Sequence, residues 1–87
     1  MKIIPLDQIR TALQDIDVID EIAQGFIAYS EGRAVVPPVG ELVFADPPGD
    51  VHIKYGYIKG EECYVIKIAS GFPGNSDHGL PANNGMM

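Results

Sequence analysis

The sequence predicts an α+β fold in which two N-terminal helices are followed by an antiparallel β-meander. Apolar residues recur at helical spacing in the first third of the chain, and apolar, β-branched runs separated by short turns follow them. At 87 residues the chain is expected to form one domain, residues 1–87, or part of one. A chain of this size has a small core, because it buries only about 60–65% of the surface that its unfolded form exposes.

The first helix is predicted over residues 5–14. Pro5 suits the first turn of a helix, where a backbone N–H is not needed, and Leu6, Ile9 and Leu13 recur at helical spacing. Residues 2–4 before it are apolar enough for a short strand.

The second helix is predicted over residues 17–31. Asp17 can act as its N-cap, and Gly32 is typical of the position just beyond a helix end. Between them an apolar stripe has helical spacing. The stripe consists of Ile19, Ile22, Ala23, Phe26 and Ile27.

Three strands are predicted beyond the double proline at 37–38, over residues 41–45, 50–58 and 62–70. The run at 46–49 consists of Asp, Pro and Gly, and the run at 59–61 contains Gly60. Both compositions favour turns between the strands. Residues 34–36 form an extended segment that the prolines end. Everything from 71 to the C-terminus lacks periodicity and is expected to be loop.

Composition disfavours several classes of function. The net charge is −6, which disfavours nucleic acid as a partner, because phosphate binding needs clustered basic residues. Cys63 is the single cysteine, so an internal disulfide and a multi-cysteine zinc site are excluded. His52 and His78 have no ligand spacing, so no metal site is predicted. No signal peptide or membrane span is recognised, and a cytoplasmic location is expected.

Lys67 lies in the middle of the third predicted strand and is the first candidate binding residue. Both faces of that strand are mostly apolar, so both are expected to be covered by other parts of the protein. A charged lysine buried there would be unfavourable unless an anion paired with it. The functional interpretation is a cation for a substrate carboxylate, with the loop Gly71–Asn75 shaping the pocket. The structural interpretation is an edge-strand lysine that discourages aggregation.

The second predicted strand has one polar face, which carries His52 and Lys54. These side chains are expected to be solvated, but Lys54 would be a second cation near Lys67 if that face lined a cleft. Cys63 is expected to be a small core residue within the third strand. Neither GxGxxG nor GxxxxGK[ST] occurs, so the chain is not expected to bind a cofactor by itself.

Three segments, AYSEGRAVVPP, YVIKIASGFPGN and HGLPANNG, occur in this order. They resemble the N-terminal part of the ornithine cyclodeaminase/mu-crystallin family. The resemblance extends from about the second helix onward and is most specific over residues 28–38 and 67–85. It implies a two-domain enzyme in which a separate Rossmann domain, absent from these residues, binds NAD or NADP. The other domain forms the substrate pocket and the homodimer interface.

The resemblance also implies roles for single residues. Known activities of the family are ornithine cyclodeamination, alanine dehydrogenation and reduction of cyclic imino acids. Lys67 matches the family lysine that contacts the substrate carboxylate. Val39 stands where many members have an arginine, so Lys54 and Glu41 are the candidates to replace it in selecting a small amino or imino acid.

The expected function is thus the substrate-binding and dimerisation segment of such an enzyme, catalytically incomplete by itself. The ending at Met86–Met87, with no cap or turn after it, is interpreted as an interrupted chain. Two alternatives stay open. One is a stand-alone self-association module, and the other is a small domain that uses Lys67 to bind an anion without a cofactor.

Overall fold

The computed structural model describes every residue from Met1 to Met87. The chain divides into two compact units, residues 1–32 and 33–87. The first unit is helical, and the second is an antiparallel sheet with one short 3-10 helix. The predicted α+β class, helices first and meander second, is confirmed, whereas the expectation of a single domain stays a prediction.

The helical unit contains α1 (Leu6–Leu13) and α2 (Val18–Ser30). Asp17 is the N-cap of α2, and its carboxylate accepts a hydrogen bond of 3.1 Å from the backbone N–H of Asp20. Gly32 follows α2 with a φ of 73°, a conformation that L side chains rarely adopt. Both helices therefore end within a residue or two of the predicted positions.

The short strand predicted over residues 2–4 is absent. An extended run becomes a strand only when another strand pairs with its backbone, and no segment of the chain pairs with these residues. Local composition alone could not reveal that missing partner.

The sheet contains five strands. They are β1 (Ala34–Val35), β2 (Gly40–Ala45), β3 (Pro48–Ile58), β4 (Tyr64–Gly71) and β5 (Asn83–Met86). The long strand β3 is central: β1 and β2 pair with different stretches of one of its edges, and β4 pairs with the other edge. β5 then pairs with β4, and every pairing is antiparallel. The predicted meander β2–β3–β4 is confirmed.

Alternation along the strands gives the sheet two chemically different faces. The polar face carries Glu41, Asp50, His52, Lys54 and Lys67. The apolar face carries Leu42, Phe44, Val51, Ile53, Tyr55, Ile66 and Ile68. The two predicted faces of β3 are confirmed by this register.

Residues 71–87 were expected to be loop, and that expectation is wrong. Residues Pro73–His78 form a 3-10 helix, which ends at Gly79 with a φ of 71°, and β5 follows. β5 exists because Asn83–Met86 pairs with Ile68–Gly71. Such non-local pairing leaves no periodic signal in a segment composed of two Asn, one Gly and one Met.

Burial within these residues is slight. Ala28 is the only buried residue, with 2% of its surface exposed. Val65 and Ile66, on opposite faces of β4, are 52% and 47% exposed, so the expectation that β4 is covered on both sides is wrong for this chain. Cys63 was expected to be a core residue within the strand, but it precedes β4 and is exposed.

No helix in the chain combines the length and the apolar character that crossing a membrane would need.

Candidate ligand-binding face of the sheet

Lys54 and Lys67 lie directly opposite each other on β3 and β4. Residues opposite each other in an antiparallel pair project from the same face, with Cβ atoms about 4.5–5.5 Å apart. The sequence predicted that Lys54 would be a second cation near Lys67 if this face lined a cleft, and the register brings the two together. Two like charges so placed repel each other.

Neither lysine has an ion-pair or hydrogen-bond partner in the chain. Both are exposed, so Lys67 does not suffer the desolvation that coverage of both faces would cause. The nearest positions on the same face offer no carboxylate. They are His52 and Gly56 on β3 and Val65 and Ala69 on β4. The two ammonium groups thus form a local positive site in a chain of net charge −6.

His52 accounts for the two carboxylates of the polar face. Glu41 is its register partner on β2, and Glu41 Oε2 lies 3.3 Å from His52 Nε2. Asp50 Oδ1 lies 3.8 Å from His52 Nδ1 on the other side of the ring. These contacts act as ion pairs only when the imidazole is protonated, and all three side chains are partly exposed. Glu41 therefore lies beside His52, with no contact to either lysine.

Gly71 is the last residue of β4, where it pairs with Asp50 on β3 and with Asn83 on β5. A Cβ atom at this position would lie 3.3 Å from Asp50 Oδ1 and 3.5 Å from Asn83 Oδ1. The glycine thus leaves room for two polar side chains that converge beside the end of the strand. It belongs to the sheet, not to the loop that was predicted to start there.

Phe72 begins the loop after β4 and lies over the β2–β3 turn. Its ring is 5.5 Å from that of Phe44, with the planes tilted by 48°. A Cβ atom at Gly49 would overlap the same ring. The sequence analysis did not predict this aromatic contact. The position of each phenylalanine next to a predicted turn or loop could have indicated it.

Asn75 fixes the shape of the loop that follows. Its side-chain Nδ2 donates to the carbonyl of Pro81 at 3.1 Å, and its own carbonyl accepts from the backbone N–H of Leu80 at 3.0 Å. The amide group is therefore used in holding the loop, while its side-chain oxygen has no partner in the chain. A substrate contact by Asn75 stays a prediction.

An open groove of about 350 Å³ lies on the opposite side of the sheet, between β4 and β5. It is lined by Ile68, Ser70, Asn84, Gly85 and Met86. None of these residues was predicted to bind a ligand, and none carries a charge. The groove and the lysine pair thus occupy different faces.

The structure divides the five predicted site residues into three groups. Lys54 and Lys67 come together, whereas Glu41 lies against His52 and the pair Gly71 and Asn75 shapes the end of β4 and its loop. Asp50, which sequence reasoning did not select, completes the surroundings of His52. No group of His, Cys, Asp and Glu side chains is arranged to hold a metal ion.

Two curated proteins are similar to this chain over nearly all of its length. An uncharacterized cyclodeaminase of Sinorhizobium fredii (strain NBRC 101917 / NGR234) is 37% identical over 89 residues, covering 100% of this chain and 27% of that protein. A provisionally named dehydrogenase of Rhizobium meliloti (strain 1021) is 33% identical over 85 residues, covering 98% of this chain and 23% of that protein.

No family model and no solved structure matches the chain. The two relatives nevertheless agree with the resemblance that residues 28–38 and 67–85 carry. The chain spans about a quarter of the length of the curated relatives it matches. The predicted relationship to an ornithine cyclodeaminase-like family is thereby confirmed.

Proposed function

We propose that these residues are the substrate-binding and dimerisation segment of an ornithine cyclodeaminase/mu-crystallin-like enzyme that acts on a small amino or imino acid. The observation that supports the proposal most is the unpartnered lysine pair Lys54–Lys67 on the polar face. A carboxylate is the anion common to amino and imino acids, and its hydrogen bonds with ammonium groups are charge-assisted.

In the proposed site Lys67 binds the substrate carboxylate, and Lys54 supplies the second positive charge. β2 supports this second role. Gly40, the first residue of β2, pairs with Ile53, the neighbour of Lys54 on β3, and Val39 directly precedes Gly40. Val39 is uncharged and stands where many family members have an arginine. In this proposal Lys54 supplies the positive charge that this arginine would provide.

Gly71 and Asn75 have a shaping role in this proposal. Gly71 leaves space where Asp50 and Asn83 converge, and Asn75 holds the loop through Pro81. Glu41 acts by holding His52, not by contacting the carboxylate. The segment itself supplies orientation and charge, and the redox chemistry belongs to a nicotinamide cofactor bound by a separate Rossmann domain of the same enzyme.

We also propose that the protein is cytoplasmic. The experiment that tests the role of Lys67 is the Lys67→Ala substitution in the complete gene product that carries these residues. Binding of L-alanine, L-proline and L-ornithine would be measured by calorimetry, and binding of NADH and NADPH by fluorescence. Loss of a hydrogen bond to a charged group is worth about 1.5–3 kcal/mol, which is roughly 10- to 150-fold in affinity. Nucleotide affinity should stay unchanged.

Lys59→Ala is the matched control, because Lys59 lies in the β3–β4 turn, away from the polar face. It should leave all affinities as they are. An amino acid that binds equally well to the wild type and to Lys67→Ala would refute the role assigned to Lys67.

A second candidate function is a self-association module without catalysis, and the exposed apolar face favours it. Leu42 and Ile66 are 54% and 47% exposed there. Both candidates predict dimers, so cofactor binding must separate them. A gene product that dimerises and binds neither NADH nor NADPH would support the module.

A further inference from the structure

The lysine pair has more positive charge than one carboxylate can neutralise. Lys54 and Lys67 are opposite each other, and a ligand with a single carboxylate balances only one of them. The remaining ammonium group would still lack a partner, since Glu41 and Asp50 lie against His52. The face is thus complementary to a ligand with two negative charges.

The surroundings of the pair allow such a ligand to approach. The positions that flank it on β4 are Val65 and Ala69, and Gly56 is next to Lys54 on β3. The space above Gly56 is taken up by β1, but Ala69 carries only a methyl group and pairs with Gly85, so both ammonium groups can be reached from the Ala69 side. Both lysines are exposed and have no internal contact to break when an anion binds.

We infer that the ligand of this face carries two acidic groups, so the substrate class is a dicarboxylic amino or imino acid. One carboxylate contacts Lys67 and the other contacts Lys54. This inference rests on the proposed function, because it takes Lys67 as the site of the first carboxylate. It adds a specificity-determining role for Lys54, which distinguishes an acidic side chain from a neutral one.

The test compares succinate with propionate, two ligands that differ by one carboxylate, on the complete gene product at fixed ionic strength. Succinate should bind about tenfold more tightly or better, since a hydrogen bond between charged groups contributes on that scale. In Lys54→Gln, the preference for succinate over propionate should disappear, so that the ratio of the two affinities falls to about one. Lys59→Gln should behave as the wild type, and circular dichroism would verify the fold of each variant.

A sulfate titration at the same ionic strength separates a dicarboxylate site from general anion binding. If sulfate binds as tightly as succinate, or if the preference for succinate survives in Lys54→Gln, the inference is wrong. If propionate binds through Lys67 but succinate binds no better, the inference fails and the proposed function stands. If neither carboxylate binds, both fail together.

Discussion

The two faces of the sheet are built from the same strands, yet they differ in how much they depend on other parts of a protein. On the polar face the lysine pair is exposed and water solvates its charges, with Val43 and Val65 as the exposed apolar residues beside them. On the apolar face Leu42, Ile66 and Ile68 remain 54%, 47% and 36% exposed, although exposing apolar surface to water is unfavourable. Contiguous exposed apolar patches are typical of surfaces that bind a protein.

This difference shows which face can carry function within these residues and which needs a cover. The polar face already presents its two unpartnered cations at a defined spacing. The apolar face has no charged group, and the polar side chains that line its groove, Ser70 and Asn84, are neutral. We therefore propose that ligand recognition and association with another surface use opposite sides of one sheet.

The largest effect is expected from placing a carboxylate at adjacent positions on the two faces. Ile53→Asp should lower the free energy of unfolding by about 3 kcal/mol, because it removes apolar burial and puts a charge on the apolar face. Lys54→Asp, one residue further on, should change it by less than about 0.5 kcal/mol. Urea denaturation of both variants measures the difference, and equal losses would show that the two faces are not distinct.

An intermediate effect is expected at Gly56, the one crowded position on the polar side of β3. A Cβ atom there would lie 2.5 Å from the carbonyl oxygen of Val35 on β1, so Gly56→Ala should cost about 1–3 kcal/mol through overpacking. Gly74→Ala is the matched control, since no atom lies within 4 Å of its Cβ position. Thermal unfolding that is equally affected in both variants would mean that β1 does not constrain this face.

The smallest effect is expected from relieving the repulsion between the two lysines. Lys54→Gln should raise the free energy of unfolding by about 0.2–0.5 kcal/mol at low salt, because like charges on directly opposed residues are destabilising. The gain should fade at 1 M salt, where the Debye length is about 3 Å. A loss of stability instead would indicate that Lys54 has an attractive partner, and Lys59→Gln serves as the reference.

Much of the fold follows from local patterns. The apolar stripe and Asp17 predicted α2 within a residue at each end, and alternation from Val51 to Ile58 predicted the two faces of β3. Such patterns are readable because hydrogen bonding and side-chain direction repeat every few residues. The strand β5 and the exposure of Cys63 could not be predicted from local patterns. Both depend on which segments, distant in the sequence, pair with each other.

The lysine pair shows the same limit within the candidate site. A three-residue turn at 59–61 would have paired Ile58 with Glu62 and placed Ile66, not Lys67, opposite Lys54. The observed register pairs Tyr57 with Tyr64 and thereby puts both lysines on one face. A shift of one residue moves every side chain of a strand to the other face.

The sequence by itself determined the helices, the three main strands, the choice of Lys67 and the family resemblance, because each depends on residues close together in the chain or on matching segments. Only the tertiary structure decided that Lys54 lies opposite Lys67, that β5 pairs with β4 and that Gly71 belongs to the sheet. It also decided that Glu41 and Asp50 both lie against His52. These depend on strand register, which is fixed by the sum of many contacts between segments distant in sequence and not by any one residue.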